Sequence, residues 1–183
     1  VLKLANDTET PVVTRGSGTG LSGGSIPAAD CIVLCTVKMD AILEVDAANL
    51  TMTVEPGVTT IQIAEAAEKA GLFYPPDPGS MKISTIGGNV AMNSGGAHCL
   101  KYGVTTNHIL GVTFVTMEGE VVEIGGEAFD LPGYDLLGLI VGAEGQLGVV
   151  TEVTVRLMPK PEAARPLLAG FASALEAGAC VAA

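Results

Sequence analysis

Residues Arg15 to Gly24 read R-G-S-G-T-G-L-S-G-G, and half of them are glycine. Glycine loses more conformational freedom on ordering than any other residue, so a run this rich in it belongs to neither a helix nor a strand interior. The stretch must be a loop, and its flanks must supply the regular structure. Pro11-Val12-Val13 leads in and the apolar run Cys31 to Val37 follows. Without Cβ atoms the loop lets another group approach closely, and its successive amide N–H groups can converge on an anion. Ser17, Thr19, Ser22 and Ser25 add hydroxyl donors, and Arg15 is the one charge. The ligand that suits such a surface is a phosphate or diphosphate. The competing reading is a flexible surface segment, which Gly/Ser-rich stretches often form.

Two common phosphate motifs fail on context. Gly18-x-Gly20-x-x-Gly23 has the spacing of a dinucleotide fingerprint, which needs a helix to begin in the loop. Here Pro27 and Asp30 follow, then the strand-like Ile32-Val33-Leu34. A Walker loop needs Gly-Lys-Ser/Thr, which the chain lacks.

The remaining pattern predicts a mixture of short elements. Val1 to Thr8 fits a helix end and Val12 to Arg15 a strand. Cys31 to Val37 fits a buried strand. Residues 43–46 and 51–55 alternate in polarity and predict a hairpin. Thr59-Thr60 can cap a helix through Ala70, with Ile61, Ala64, Ala67 and Ala70 near one face and Gly71 as its stop. A stiff proline loop, Tyr74 to Ser80, leads into a second glycine-rich turn over 79–96. Val112 to Met117 and Val121 to Ile124 predict another hairpin, and Asp135 to Val141 a helix. A third glycine turn at 142–148 precedes the alternating Val149 to Leu157. Leu167 to Phe171 fits one more strand and Ala172 to Ala183 one more helix. Hairpins and helices mix without βαβ regularity, so the fold class is α+β. Three glycine turns suggest one extended ligand laid across several backbone turns.

Charge narrows the partners. The 183 residues carry 9 basic and 20 acidic side chains, a net charge of −11, which disfavours nucleic acid and anionic membrane surfaces. Any bound phosphate must then be held mainly by amides and dipoles. With 4% aromatic residues and no Trp, base-stacking platforms are poorly supported. Cys31, Cys35, Cys99 and Cys180 form no C-x-x-C pair and read as buried thiols in a reducing compartment. His98 and His108 have no metal-pair spacing and read as structural, so no metal site is expected. Asp77 between two prolines reads as a turn former. Lys101 and Tyr102 stand either near the ligand or as props of their loop. Leu136 to Ala143 is too short to span a bilayer. The first residue is Val, and the last segment is helical in pattern, which reads as a chain cut at both ends.

Five motifs in order carry a family resemblance: R-G-S-G-T-G-L-S-G-G, P-P-D-P-G-S, I-G-G-N-V-A-M-N-S-G-G, K-Y-G and G-A-E-G-Q-L-G-V-V-T, spanning Arg15 to Thr151. Together they resemble the FAD-binding (PCMH) domain of the vanillyl-alcohol-oxidase-type flavoproteins, most nearly the glycolate oxidase flavin subunit and the D-lactate dehydrogenases. The resemblance implies two α+β subdomains with FAD between them over residues 1–161, and the beginning of a substrate-binding cap over 162–183. It implies that Arg15, Gly16, Ser17, Gly18, Thr19, Gly20, Leu21, Ser22 and Gly23 wrap the diphosphate. Pro78, Gly79, Ser80, Gly87, Gly88, Asn89, Asn93, Ser94 and Gly95 would line the ribityl and ring portion. Gly145, Gly148, Val149 and Val150 would touch FAD through their backbone, the last pair near adenine.

Some relatives attach flavin through a His in the glycine loop. This loop offers Thr19 and no His, so non-covalent FAD is expected. The implied activity is oxidation of a small 2-hydroxy acid bound through the cap, with hydride passing from C2 to flavin N5. No catalytic residue can be assigned in this chain. Partner subunits, a homo-oligomer formed through exposed apolar surface, and a cytoplasmic location reaching membranes only through partners complete the expectation. A non-catalytic FAD subunit for assembly or electron transfer is the alternative, and a nucleotide module without flavin a weaker third.

Overall fold

The computed structural model describes residues 1–126 and 133–183. Its core is a five-stranded antiparallel sheet. The strands are β3 (Ile42–Asp46), β4 (Thr51–Val54), β6 (Ile109–Val115), β7 (Val121–Gly125) and β8 (Val149–Arg156), in the order β3-β4-β8-β6-β7. Both predicted hairpins are present, β3 with β4 and β6 with β7. β8, the latest of these strands in sequence, enters between them. It pairs Met52 with Val155 on one side and Val112 with Val153 on the other.

Alternation decides which face is covered. Met52, Val54, Val153 and Val155 are wholly buried, whereas Thr53 and Thr154 face the opposite way and share a hydroxyl hydrogen bond of 3.1 Å. Period-two side-chain direction makes this division automatic once the register is set. Three helices cover the apolar face: α2 (Thr60–Lys69), α3 (Ile86–Met92) and α5 (Leu136–Ile140). α2 begins with a capping box: Thr59 accepts from Gln62 N while Gln62 Oε1 accepts from Thr59 N at 2.8 Å. Its buried positions are Thr60, Ile63 and Ala67, so the predicted face was rotated. Ile63 is the main apolar anchor, because the helix meets the core through the 60–63–67 stripe.

A separate two-stranded parallel sheet joins β1 (Val12–Arg15) to β2 (Ile32–Cys35). Parallel pairing forces the chain leaving Arg15 to travel back before Ile32, a crossover a helix usually makes. Here the glycine-rich residues 16–31 make it without one. β2 is not buried as expected, since Val33 and Cys35 are exposed. A two-stranded sheet has only one face against the protein, and the alternate residues of β2 point outward. None of the four cysteines is buried: Cys35 points outward from β2, Cys31 just precedes it, and Cys99 and Cys180 lie half-buried and exposed elsewhere in the chain; all four are free thiols.

Three further expectations change. The segment 79–96 is not one glycine turn, because α3 occupies its centre, capped by Thr85. Helix α4 (Cys99–Tyr102) and a 3-10 turn over Thr105–His108 follow it. Residues 167–171 form no strand, since among the described residues no strand lies beside them to share hydrogen bonds. α6 (Ala174–Ala182) does form, capped by Ser173, but buries none of its side chains. The remaining elements are α1 (Leu2–Asp7) and a short pair, β5 (Leu72–Phe73) with β9 (Met158–Pro159).

Met52 sits mid-sheet with no exposed area. Met52→Ala is expected to lower stability by about 2–5 kcal/mol, as cavity-forming core truncations do. Leu4→Ala, at an exposed position, should stay within about 0.5 kcal/mol in the same urea titration.

Candidate functional site

A cleft of about 390 Å³ lies between the glycine loop and α3. The loop runs alongside the helix. At one end Gly16 lies so close to Thr85 that a methyl group there would overlap the threonine side chain. At the other end Gly20 faces Met92, with a clearance of 4.0 Å from an added Cβ. Close approach is the physical reason for glycine at position 16. Gly18 adds a backbone reason, since its φ is +77°.

α3 is fastened from below. Ile86 N donates to Val58 O at 2.8 Å and Gly87 N to Pro56 O at 2.9 Å. The Thr85 hydroxyl accepts from Gly88 N. The first-turn amides of α3 are therefore already bonded to protein. The loop amides are not: among the described residues, no backbone N–H from 17 to 25 donates to a protein acceptor. Donors left without partners at a cleft wall serve a ligand or water.

Arg15 reinforces the loop. Its Nε donates to Gly16 O and its Nη2 to Ser17 O, both at 3.1 Å, and it forms no ion pair among the described residues. The guanidinium is thus fixed at the cleft with its charge unneutralised, while backbone supplies most of the wall.

The far wall comes from two loops joined by Asp77. Asp77 Oδ1 accepts from His98 N at 3.0 Å, and its Oδ2 lies 3.1 Å from His98 Nδ1. That pin ties the 75–80 loop, with Pro78 and Ser80, to the 93–98 loop, with Asn93, Ser94 and Gly95. Asp77 therefore acts between loops and not only within its own turn. Asn93 sits in the left-handed region at φ +46°, and its Oδ1 accepts from Thr106 N at 2.9 Å. Asn89 donates from Nδ2 to Thr60 Oγ1 at 2.6 Å, which spends its amide on anchoring α3 to α2.

The sequence-derived set divides in three. Arg15, Gly16, Ser17, Gly18, Thr19, Gly20, Leu21 and Ser22 line the cleft, as do Pro78, Ser80, Gly88, Asn89, Asn93, Ser94 and Gly95. Gly23, Gly79 and Gly87 do not; Gly87 instead packs on Pro56, where an added Cβ would come within 2.8 Å. Gly145, Gly148 and Val150 line a second, smaller cavity behind Ala91, and Val149 is a buried strand residue lining neither.

The cleft also includes Gly24 and Ser25, which the sequence reading placed in the glycine loop, and Thr14, Thr85, Ala91, Met92 and Glu144, which it missed. A helix start at Thr85 ahead of Ile86 and Val90 was the available signal for several of them. Lys101 and Tyr102 stay outside the cleft lining. The Lys101 ammonium lies 5.0 Å from the Tyr102 ring, which packs edge-on against Phe73 and His98.

His108 is structural and buried. Its Nε2 donates to Tyr102 O at 2.9 Å, which leaves Nδ1 as an unpartnered acceptor. Burial holds its pKa below the usual histidine value; the bond to Tyr102 opposes this, and Arg156 adds to it. Burial likewise pushes the Tyr74 hydroxyl well above the ordinary tyrosine range. The folded chain keeps His108 neutral, so acidification protonates the unfolded chain first. The associated stability is complete above the ordinary pKa of 6.5 and is lost as pH falls through the depressed folded value. The melting temperature should drop as the pH is lowered below about 6.5, and His108→Gln should flatten that slope.

A family model described as an FAD binding domain matches residues 1–125. The glycolate oxidase subunit GlcD of Bacillus subtilis (strain 168) is 52% identical over 170 residues, covering 92% of this chain and 36% of that protein. The D-lactate dehydrogenase of Archaeoglobus fulgidus is 43% identical over 182 residues, covering 99% of this chain and 41% of that protein. Among solved structures, alkyldihydroxyacetonephosphate synthase matches with a TM-score of 0.78 at 27% identity, over 88% of this chain and 30% of that one. The chain thus spans little more than a third of the length of the curated relatives it matches.

Proposed function

This chain belongs to the FAD-binding-domain family, and from that premise we propose that it is the FAD-binding portion of an oxidoreductase for a small 2-hydroxy acid, holding the cofactor without a covalent bond. The observation that carries the reading is the row of unbonded loop amides beside an unpaired Arg15. In a protein of net charge −11, such amides let a diphosphate bind where side-chain charge would repel it. Bare backbone at Gly16 to Gly20 and hydroxyls at Ser17, Thr19 and Ser22 suit a long anionic ligand.

When bound, FAD supplies the two-electron acceptor toward which the substrate C2 hydrogen leaves as hydride. The protein's part is to hold the dinucleotide still. The loop and Arg15 take the phosphates, and the Asp77-pinned loops close the opposite wall. The cleft lining has no histidine. We assign the base and the substrate carboxylate clamp to residues outside this cleft, and propose that residues 162–183 belong to a second, substrate-binding unit. Partner subunits are proposed by analogy with the relative named as a subunit.

Neither histidine nor cysteine lines the cleft, so acid precipitation should leave the flavin in the supernatant. A yellow pellet would refute the non-covalent reading. Gly20→Asp separates binding from folding, because an added Cβ meets nothing closer than 4.0 Å. Two like charges about 4 Å apart near a surface repel by roughly 4 kcal/mol. The variant should therefore melt near the parent yet lose more than tenfold in FAD affinity, read by flavin fluorescence. Undiminished affinity would move the phosphates elsewhere.

A further inference from the structure

Among the described residues, two buried side-chain atoms have no hydrogen-bond partner, Tyr74 Oη and His108 Nδ1. They belong to neighbouring rings. The rings meet edge to face, with centroids 6.2 Å apart and planes at 74°, and the two residues are 2% and 3% exposed. Leaving one buried polar atom dry lowers stability, and two side by side need a common explanation. Their capacities match. The phenol has a proton to donate, whereas His108 already donates from Nε2 to Tyr102 O, so its Nδ1 can only accept. Burial favours both of these neutral forms, and the positive charge of Arg156 on β8 adds to the effect on the imidazole.

Each ring stands at the root of one loop of the far wall. Tyr74 follows β5 and opens the proline loop that brings Pro78 and Ser80 to the cleft. His108 closes the 3-10 turn over Thr105–His108, and that turn holds the other loop. Thr105 donates to Ser94 O from its N at 3.1 Å and from Oγ1 at 2.7 Å, and Thr106 N donates to Asn93 Oδ1 at 2.9 Å. Asn93 and Ser94 both line the cleft. The tips of the two loops are in backbone contact, since an added Cβ at Gly96 would overlap Asp77 O. Asp77 and His98 join the tips; Tyr74 and His108 meet at the roots.

We propose that Tyr74 and His108 act as one hydrogen-bonded unit, the hydroxyl joined to Nδ1 through an internal water, and that this unit positions the far wall of the cleft for the bound dinucleotide. A water accepts from the phenol and donates to the imidazole, which satisfies both atoms. Neither residue lines the cleft. Both are positioning residues, acting through Pro78 and Ser80 on one side and through Asn93 and Ser94 on the other. The positioning role rests on the FAD reading.

Tyr74→Phe removes one oxygen atom from the core and little else, so the sign of its effect is decisive. Deleting an orphaned hydroxyl would leave the melting temperature unchanged or raise it. Deleting a bonded one strands Nδ1. The variant should therefore melt below the parent. Its FAD affinity, read by flavin fluorescence at a temperature where both proteins are folded, should fall about fivefold or more. His108→Gln retains a donor for Tyr102 O and an acceptor for the water, so it should keep more of the affinity than His108→Leu. Nitrogen NMR of histidine-labelled wild-type protein supplies a readout independent of any variant's stability. The signal of the unprotonated His108 ring nitrogen should move when FAD is added, because a wall that closes on the cofactor carries its roots with it.

A Tyr74→Phe protein that melts at or above the parent would overturn the hydrogen-bonded unit. One that melts lower yet binds FAD as tightly as wild type, or a His108 signal indifferent to FAD, would overturn the positioning role and leave the FAD reading intact. Wild-type protein that binds no FAD would overturn both the reading and the positioning role.

Discussion

The contact between Gly16 and Thr85 is the constraint on which the site depends. The loop leaving β1 can lie along α3 only because residue 16 has no side chain. Thr85 meanwhile has two tasks: it caps the helix and forms the wall the loop rests on. Separating the two surfaces by the width of a methyl group would move Ser17 to Ser22 away from the helix, and the cleft would open into a groove. Backbone proximity, not a set of charged side chains, makes this site.

That proximity is useful only if α3 does not move, and the helix is held on three sides. Ile86 and Val90 are buried in the same cluster as Val153 and Val155 of β8. The Asn89 amide reaches Thr60 at the start of α2. The amides of Ile86 and Gly87 bond to the backbone of 56–58. Each connection runs from the cleft wall into the sheet core, so the wall inherits the rigidity of the core. The same bonds occupy the first amides of α3 and leave anion recognition to the loop opposite.

Electrostatics fits this division of labour. A chain with 20 acidic and 9 basic residues cannot attract a diphosphate by its overall field. Local dipoles can, because amide donors at contact distance outweigh charges screened beyond about 8–10 Å of salt solution. One guanidinium, held by the loop's own carbonyls, adds a fixed positive charge at the cleft.

Sequence alone determined what depends on composition and short-range order. Five glycines in ten residues excluded regular structure at 16–24 and called for an anion. Alternation predicted both hairpins and the last strand of the sheet, and Thr59 marked a helix start, because caps, turns and period-two burial are local properties of the chain. Only the tertiary structure decided the rest. β8 entering between the two hairpins set which face of the sheet is buried, α2 met that face through Ile63, and β2 paired with β1 in a separate sheet that left Val33 and Cys35 exposed. Asn89 turned inward to Thr60, while Gly145, Gly148 and Val150 came to line a cavity behind Ala91. Thr85 and Glu144 joined the cleft from positions about seventy and one hundred and thirty residues from the loop's start. Contacts over such separations depend on how sheet and helices stack, and no local pattern in the chain encodes which side chains will face one another across that gap.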